Sequence, residues 1–169
     1  MATTKKTGGA KTTRSETVTV RLDPELRYLA EIASRIQRRT LSSYIEWAIT
    51  ESMRLNRLSD APGDDRSVAD RASALWDVDE ADRFAKLGLH APHLLNYDEQ
   101  RLWKLIRENG YLWRGKYVNN LWTWNISESS LQFPRLREHW QTFLQVALEE
   151  QPSSMLPTWA ENDPDPVPF

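Results

Sequence analysis

Three side chains near the start of the chain could form a hydrogen-bonding surface: Thr17, Thr19 and Arg21. The alternate positions are aliphatic: Val18, Val20 and Leu22. Because successive side chains of a β-strand point to opposite faces, this alternation predicts a strand with one apolar and one polar face. The polar face carries two hydroxyl groups and a guanidinium that can donate two parallel hydrogen bonds. It would therefore face water or a ligand.

No other motif indicates catalytic or metal chemistry. The chain contains no cysteine, which excludes disulfides, thiolate zinc sites and cysteine nucleophiles. His90 and His93 lie close together, but a zinc site needs three or four ligands and His139 is distant in sequence. The acids from Asp77 to Asp82 lack the glycine turn and terminal glutamate of a calcium loop. We therefore expect no enzyme activity, no metal and no cofactor.

Charge divides the chain into two parts. Residues 1–58 carry 11 basic and 6 acidic side chains, whereas residues 59–169 carry 11 basic and 18 acidic ones. A basic segment is typical of a protein with a polyanionic partner. No apolar run approaches the roughly 20 residues that a membrane helix requires, and the first residues lack the apolar stretch of a secretion signal. We expect no membrane partner and a cytoplasmic location.

Two amphipathic helices are predicted after the strand. Asp23 is a helix cap, Pro24 favours the first helical position, and apolar residues continue at helical spacing to Ile36. The pattern breaks at residues 37–39, and Thr40 or Ser42 can cap a second helix. The apolar positions of that helix are Leu41, Tyr44, Ile45, Ala48, Ile49 and Met53.

A single strand and two helices cannot satisfy the strand's edge or bury both helix stripes. The segment therefore predicts a homodimer in which two strands pair antiparallel and four helices share a core. The residues predicted to form this dimer core are Val18, Val20, Leu22, Leu29, Ile36, Ile45 and Ile49. The paired strands would present both polar faces on one side, as a ribbon that fits a DNA major groove.

Residues 17–56 resemble the ribbon-helix-helix DNA-binding family, the Arc/MetJ-type repressors. Residues 17–26 match the family's strand and first-helix start, and residues 39–45 match the start of its second helix. The resemblance implies base contacts, such as an arginine that donates to guanine O6 and N7. These base contacts would come from Thr17, Thr19 and Arg21.

The resemblance also implies phosphate contacts at the start of the second helix, where the dipole favours an anion. These would come from Thr40, Ser42 and Ser43. A basic N-terminal arm would add phosphate attraction without reading sequence. Its basic residues are Lys5, Lys6, Lys11 and Arg14.

The chain departs from the family pattern at two positions. Arg38 stands where many members have glycine, which predicts either a mildly strained left-handed backbone between the helices or a turn that is built differently. Tyr44 stands where many have an acid, which predicts aromatic packing in place of an ion pair.

The second half predicts a small acidic helical domain. Helices are predicted over 67–76, 79–87, 98–108 and 134–150, with the second ending at Gly88 and the third at Asn109-Gly110. The predicted organisation is a disordered basic arm (1–15), a ribbon-helix-helix domain (16–58), a linker (59–66), an acidic Trp-rich helical domain (67–150) and a Pro-rich acidic tail (151–169).

Residues 111–124 form the most aromatic stretch of the chain, and Asn119-Asn120 can make the turn of a short hairpin. The aromatic side chains either fill the core of a small domain or form a surface for a ligand, a partner protein or a stacked base. The candidates for such a surface are Trp113, Tyr117, Trp122 and Trp124.

These observations together predict a mainly α protein with an N-terminal ribbon-helix-helix and a small C-terminal helical domain that includes a short hairpin. The predicted function is sequence-specific binding of double-stranded DNA by a homodimer, or a dimer of dimers, most simply as a transcriptional repressor located on a bacterial nucleoid. One alternative is an antitoxin whose residues 67–150 bind a partner protein. Another is an accessory protein in plasmid partition or DNA transfer.

Overall fold

The computed structural model describes residues 18–59, 64–119 and 121–159. Within these ranges the protein is mainly helical, with one two-stranded antiparallel sheet, as predicted. The helices are α1 (Pro24–Ile36), α2 (Leu41–Leu55), α3 (Ala72–Leu75), α4 (Glu80–His90), α5 (Tyr97–Glu108) and α6 (Phe133–Ala147). The strands are β1 (Gly115–Val118) and β2 (Leu121–Trp124), and short 3-10 helices occupy Pro92–Leu94, Gly110–Leu112 and Ser153–Met155. None of the helices in the described ranges is long and apolar enough to cross a bilayer.

The chain forms two compact units, and the boundary between them lies inside α2. The N-terminal unit ends at Ile49 and the C-terminal unit begins at Thr50. Residues 18–23 precede α1 without regular secondary structure, so the predicted strand is not confirmed. A strand of this kind forms only by pairing with another strand, and the described part of the N-terminal unit contains no second one.

Side-chain caps begin most of the longer helices. Asp23 accepts a hydrogen bond from the Leu26 N–H at 2.9 Å, with Pro24 next to it, so the predicted start of α1 is confirmed. Asp79 caps α4 in the same way. Asn96 and Glu99 form a reciprocal capping box at the start of α5.

The core of the C-terminal unit lies among α4, α5 and α6. Its fully buried members include Ala85, Ile106, Leu112, Trp113, Leu136 and Phe143. Helix α4 does not end at Gly88 as predicted, but continues to His90. A Cβ atom at Gly88 would lie 2.6 Å from the indole of Trp103, so glycine is required there because the ring packs directly on the helix backbone.

An ion pair joins α4 to α6. Arg137 donates to both carboxylate oxygens of Asp82, from Nε at 2.9 Å and from Nη2 at 2.6 Å. Asp82 is only 4% exposed, and its hydrogen bond raises the pKa of Arg137. A buried carboxylate is tolerated only with such a partner, so the pair sets how these two helices align.

The segment after α2 is fastened to the end of that helix. The Val68 N–H donates to the Asn56 carbonyl at 2.8 Å, and Leu58 is buried. Asp64 accepts hydrogen bonds from Arg66 at 2.7 Å and from Arg71 at 2.9 Å, and these bonds lower its pKa to about 2.

The helix predicted over residues 67–76 is reduced to α3. Both the N–H and the hydroxyl of Ser67 donate to Asp70, at 2.9 and 2.7 Å. This local side-chain bonding favours a turn over a helix in residues 68–71.

Residues 151–159, within the predicted tail, pack against the rest of the C-terminal unit. Leu156 packs against the core, and the Asn109 side chain donates to the Pro157 carbonyl at 3.0 Å. Helix α6 ends at Ala147, three residues earlier than predicted, and Glu149 has a left-handed backbone with φ 64°.

The contact at Gly88 yields a test of the C-terminal core. Alanine in place of glycine inside a helix normally stabilises by up to about 1 kcal/mol. Here we expect Gly88→Ala to lower the free energy of unfolding by about 1–3 kcal/mol, because the new methyl group overlaps the Trp103 ring. Urea denaturation followed by near-UV circular dichroism measures it.

Pairing Gly88→Ala with Trp103→Phe identifies the cause. The smaller ring leaves room for the methyl group, so the double variant should lose less than the sum of the two single losses. A stabilising Gly88→Ala would show that the ring does not restrict this position.

Candidate nucleic-acid interface

Two of the three predicted base-contacting residues lie in the described segment before α1. The side chains of Thr19 and Arg21 are exposed. The Asp23 cap, two residues after Arg21, fixes the start of α1 at Pro24. Thr17 lies outside the described residues, as do Lys5, Lys6, Lys11 and Arg14 of the predicted arm.

The aliphatic residues of the N-terminal unit are largely open to solvent. Ser34 alone is buried among residues 18–49, and no hydrophobic side chain in that range is. Five of the seven predicted dimer-core residues are exposed, whereas Leu22 and Ile45 are half-buried. The exposed ones are Val18 (80%), Val20 (61%), Leu29 (52%), Ile36 (77%) and Ile49 (54%).

The turn between α1 and α2 has a left-handed residue at Arg38, with φ 54°. The Arg38 N–H donates to the Arg35 carbonyl at 3.0 Å, and the Arg39 N–H donates to the Ser34 carbonyl at 2.9 Å. This pair of bonds is a Schellman motif, in which glycine usually occupies the left-handed position. Arg38 therefore has a left-handed backbone in a turn that is held by two backbone hydrogen bonds.

The start of α2 is capped by Thr40, one of the two residues predicted for this role. Its hydroxyl oxygen accepts a hydrogen bond from the Ser43 N–H at 3.2 Å. The side chains of Thr40, Ser42 and Ser43 are all exposed. The first turn of α2 contains no acidic residue, so nothing on the helix opposes an anion at this end.

Arg39 is a further basic residue at the start of α2 that the sequence analysis did not select. Its guanidinium lies 5.6 Å from the ring centroid of Trp47, which in turn packs 5.6 Å from Tyr44. The predicted aromatic packing at Tyr44 is therefore confirmed. A basic residue just before a helix start, with an aromatic residue two helical turns later, is the signal that could have identified Arg39.

The aromatic stretch of the C-terminal unit is partly core and partly surface. The inclusion of Trp113 in a ligand surface is wrong, because this side chain is 0% exposed and donates to the Ile106 carbonyl at 2.8 Å. Tyr117 is half-exposed. Trp122 and Trp124 are half-buried, and their indole N–H groups donate to the carbonyls of Gly110 and Arg107.

The two neighbouring histidines engage different partners. His90 Nε2 lies 3.3 Å from a carboxylate oxygen of Glu128, whereas His93 Nε2 lies 3.0 Å from the Leu58 carbonyl oxygen. Among the described residues, no group of three or more potential ligands is placed to hold a metal ion.

The left-handed turn predicts an unusual stabilising substitution. Arg38→Gly should increase the stability of α1 by about 0.5–1 kcal/mol, because glycine adopts this backbone without the cost of a Cβ atom. Hydrogen exchange of the α1 amides reports this locally. Arg39→Gly, at a neighbour without a positive φ, is the control and should destabilise; equal effects would contradict the assignment of strain.

Comparison of the chain with protein-family models, curated proteins and solved structures returned no match.

Proposed function

We propose that this protein is a homodimer that binds double-stranded DNA sequence-specifically, most simply as a transcriptional repressor. Two copies of residues 17–22 pair as an antiparallel ribbon that enters the major groove. Thr17, Thr19 and Arg21 of each copy contact base edges. The second helix of each copy anchors the ribbon on the phosphate backbone.

One observation carries the proposal: the described part of the N-terminal unit has amphipathic helices but no buried hydrophobic side chain. Full burial of one valine, leucine or isoleucine side chain contributes roughly 1.5–3 kcal/mol. A two-helix unit that leaves Val18, Leu29 and Ile36 in water lacks the main source of folding free energy. A second copy supplies matching apolar surfaces without any further segment.

Pairing of the two strands also accounts for the polar residues. The aliphatic side chains of residues 18, 20 and 22 turn into the four-helix core, so Thr19 and Arg21 turn outward. An arginine that donates to guanine O6 and N7 contributes about 1–3 kcal/mol of discrimination. The exposure of Thr19 and Arg21 in the single chain agrees with this role.

The start of α2 supports a phosphate contact beside the ribbon. The dipole at this helix start, the exposed hydroxyls of Ser42 and Ser43 and the absence of an acidic residue in its first turn all favour an anion. Arg39 adds a positive charge at the same helix end, held beside Trp47.

The folded C-terminal unit favours a repressor over an antitoxin. It closes a core of its own around Trp113, Leu136 and Phe143. A segment that wraps a toxin is often disordered until it binds. A folded domain is better suited to form contacts between subunits or to respond to a signal.

Dimerisation is tested by removing apolar side chains from α1. Leu29→Gln and Ile36→Gln should each weaken the dimer about 100-fold, because each change occurs twice per dimer. Sedimentation equilibrium of the full chain measures the dissociation constant. Arg35→Gln, next to Ile36, is the matched control and should change it less than about twofold. A wild-type chain that remains monomeric would refute the proposal.

Base reading is tested at Arg21. Selection of random duplexes by the full chain yields a preferred sequence, and competition binding then compares it with unrelated DNA. Arg21→Ala should reduce affinity for the preferred sequence at least about tenfold and reduce affinity for unrelated DNA much less. Arg27→Ala, which removes an exposed charge on α1, should lower both slightly and equally. Equal losses for Arg21→Ala would contradict base reading.

A further inference from the structure

The β1–β2 hairpin has one aromatic face and one face that carries Lys116 and Thr123 together with the exposed aliphatic side chains of Val118 and Leu121. In its register Tyr117 pairs with Trp122, and Lys116 pairs with Thr123. The aromatic face packs against the rest of the C-terminal unit, because the indole of Trp122 donates to the Gly110 carbonyl and its ring lies 5.7 Å from the ring of Trp159. Lys116 and Thr123 therefore lie on the side away from these aromatic contacts.

A surface cavity of about 540 Å³ lies on the face that carries Lys116 and Thr123. Its wall includes Arg114, Lys116 and Val118 from the first strand and its approach, Thr123, Trp124 and Asn125 from the second strand and its end, and Ser127, Ser129 and Ser130 from the turn that follows. This volume falls within the range of small-molecule sites, roughly 300–1,000 Å³. The lining residues are all described, and none of them is acidic.

The serine turn brings hydroxyl groups to the cavity. The Ser127 hydroxyl lies 2.9 Å from that of Ser130 and 3.2 Å from that of Ser129. Ser130 also donates to the Ser127 carbonyl at 2.9 Å, so its hydroxyl is held by the turn. The Ser129 hydroxyl has only the Ser127 contact, and it can donate to a ligand.

The one acid of this turn is directed elsewhere. Glu128 lies between Ser127 and Ser129 in sequence but does not line the cavity. Its carboxylate lies 3.3 Å from His90 at the end of α4. The turn therefore places serine hydroxyls at the cavity, whereas the Glu128 carboxylate lies at the end of α4.

Arg114 and Lys116 form no ion pair with any described residue. They share this with Arg83, Lys104 and Arg107, which do not line this cavity. Other cations of the unit are paired, such as Arg71 with Asp64, Lys86 with Asp77, Arg101 with Glu149 and Arg137 with Asp82. Two unpaired cations that line one cavity with hydroxyl donors make a local positive site in an acidic region.

We propose that this cavity binds the phosphate group of a small phosphorylated molecule. Arginine can donate two hydrogen bonds to phosphate oxygens, lysine supplies a point charge, and the Ser129 hydroxyl completes the set of donors. The cations of the site are confined to Arg114 and Lys116 at one cavity, which suits a single phosphate group better than an extended DNA backbone. The proposal does not depend on DNA binding by the N-terminal unit.

The test is titration of the full chain with inorganic phosphate and with pyrophosphate at constant ionic strength, followed by the ¹H–¹⁵N spectrum. We expect saturable shifts confined to the amides of residues 114–130. Arg114→Gln and Lys116→Gln should each weaken binding about tenfold. Lys104→Gln removes an exposed charge that is not part of this cavity, and it should leave binding unchanged.

Three results would overturn the proposal. One is the absence of saturable shifts with either anion. Another is an equal weakening in the Lys104→Gln variant, which would indicate general charge attraction. The third is displacement of phosphate from residues 114–130 by a short DNA duplex, which would assign the cavity to the DNA backbone.

Ser129→Ala is a second test of the site that does not depend on whether the Arg114 and Lys116 variants fold. It removes a hydroxyl from an exposed turn and should weaken phosphate binding about threefold, within the effect of one hydrogen bond. An unchanged affinity in Ser129→Ala would remove the serine turn from the site and contradict the geometry proposed here.

Discussion

Apolar side chains must leave water, and the two units of this chain meet that requirement in different ways. The C-terminal unit closes a core in which Ile106, Leu112, Trp113, Leu136 and Phe143 are fully buried. The helices of the N-terminal unit are also capped by side chains, at Asp23 and Thr40. Nevertheless, residues 18–49 contain no buried hydrophobic side chain. Helix capping and intrinsic propensity determine where its helices begin, but they do not supply the burial that stabilises them.

The C-terminal unit is held together by contacts that leave little freedom to its hairpin. Trp103 packs on the backbone of α4 at Gly88, and Arg137 fixes α6 to α4 through Asp82. The indoles of Trp122 and Trp124 then donate to carbonyls at Gly110 and Arg107, which attaches one hairpin face to this framework. The opposite face leaves Lys116 and Thr123 exposed, where they can contact a ligand.

Much of this architecture follows from local sequence signals, and the exceptions have tertiary causes. Asp23-Pro24 and Thr40 marked where the first two helices begin, and Asn119 marked the hairpin turn. The end predicted at Gly88 was wrong because a ring from another helix requires glycine there. Trp113 resembled the other aromatic residues in sequence, and only its packing in the fold separates a core indole from a surface one.

The candidate interface was only partly predictable for a related reason. The alternation at residues 18–22 predicts a strand, but these residues have no regular secondary structure in the single chain. A strand forms only by pairing with another strand, and no local signal can establish that pairing. Arg39 was missed because its position depends on a contact with Trp47 across two helical turns. The cavity at Arg114 and Lys116 combines two strands with the turn after them, and sequence spacing alone does not indicate that convergence.

The bare apolar face of the N-terminal unit has a consequence for how such a protein would respond to its own abundance. When a chain folds only as it pairs with a second copy, the fraction of chains that carry a complete DNA-binding ribbon depends on protomer concentration. At low abundance the population of assembled dimers follows the square of the chain concentration, so occupancy of a DNA site changes more steeply than the amount of protein does. A gene controlled in this way would be released sharply as cells divide and dilute the protein, without any dedicated inducer.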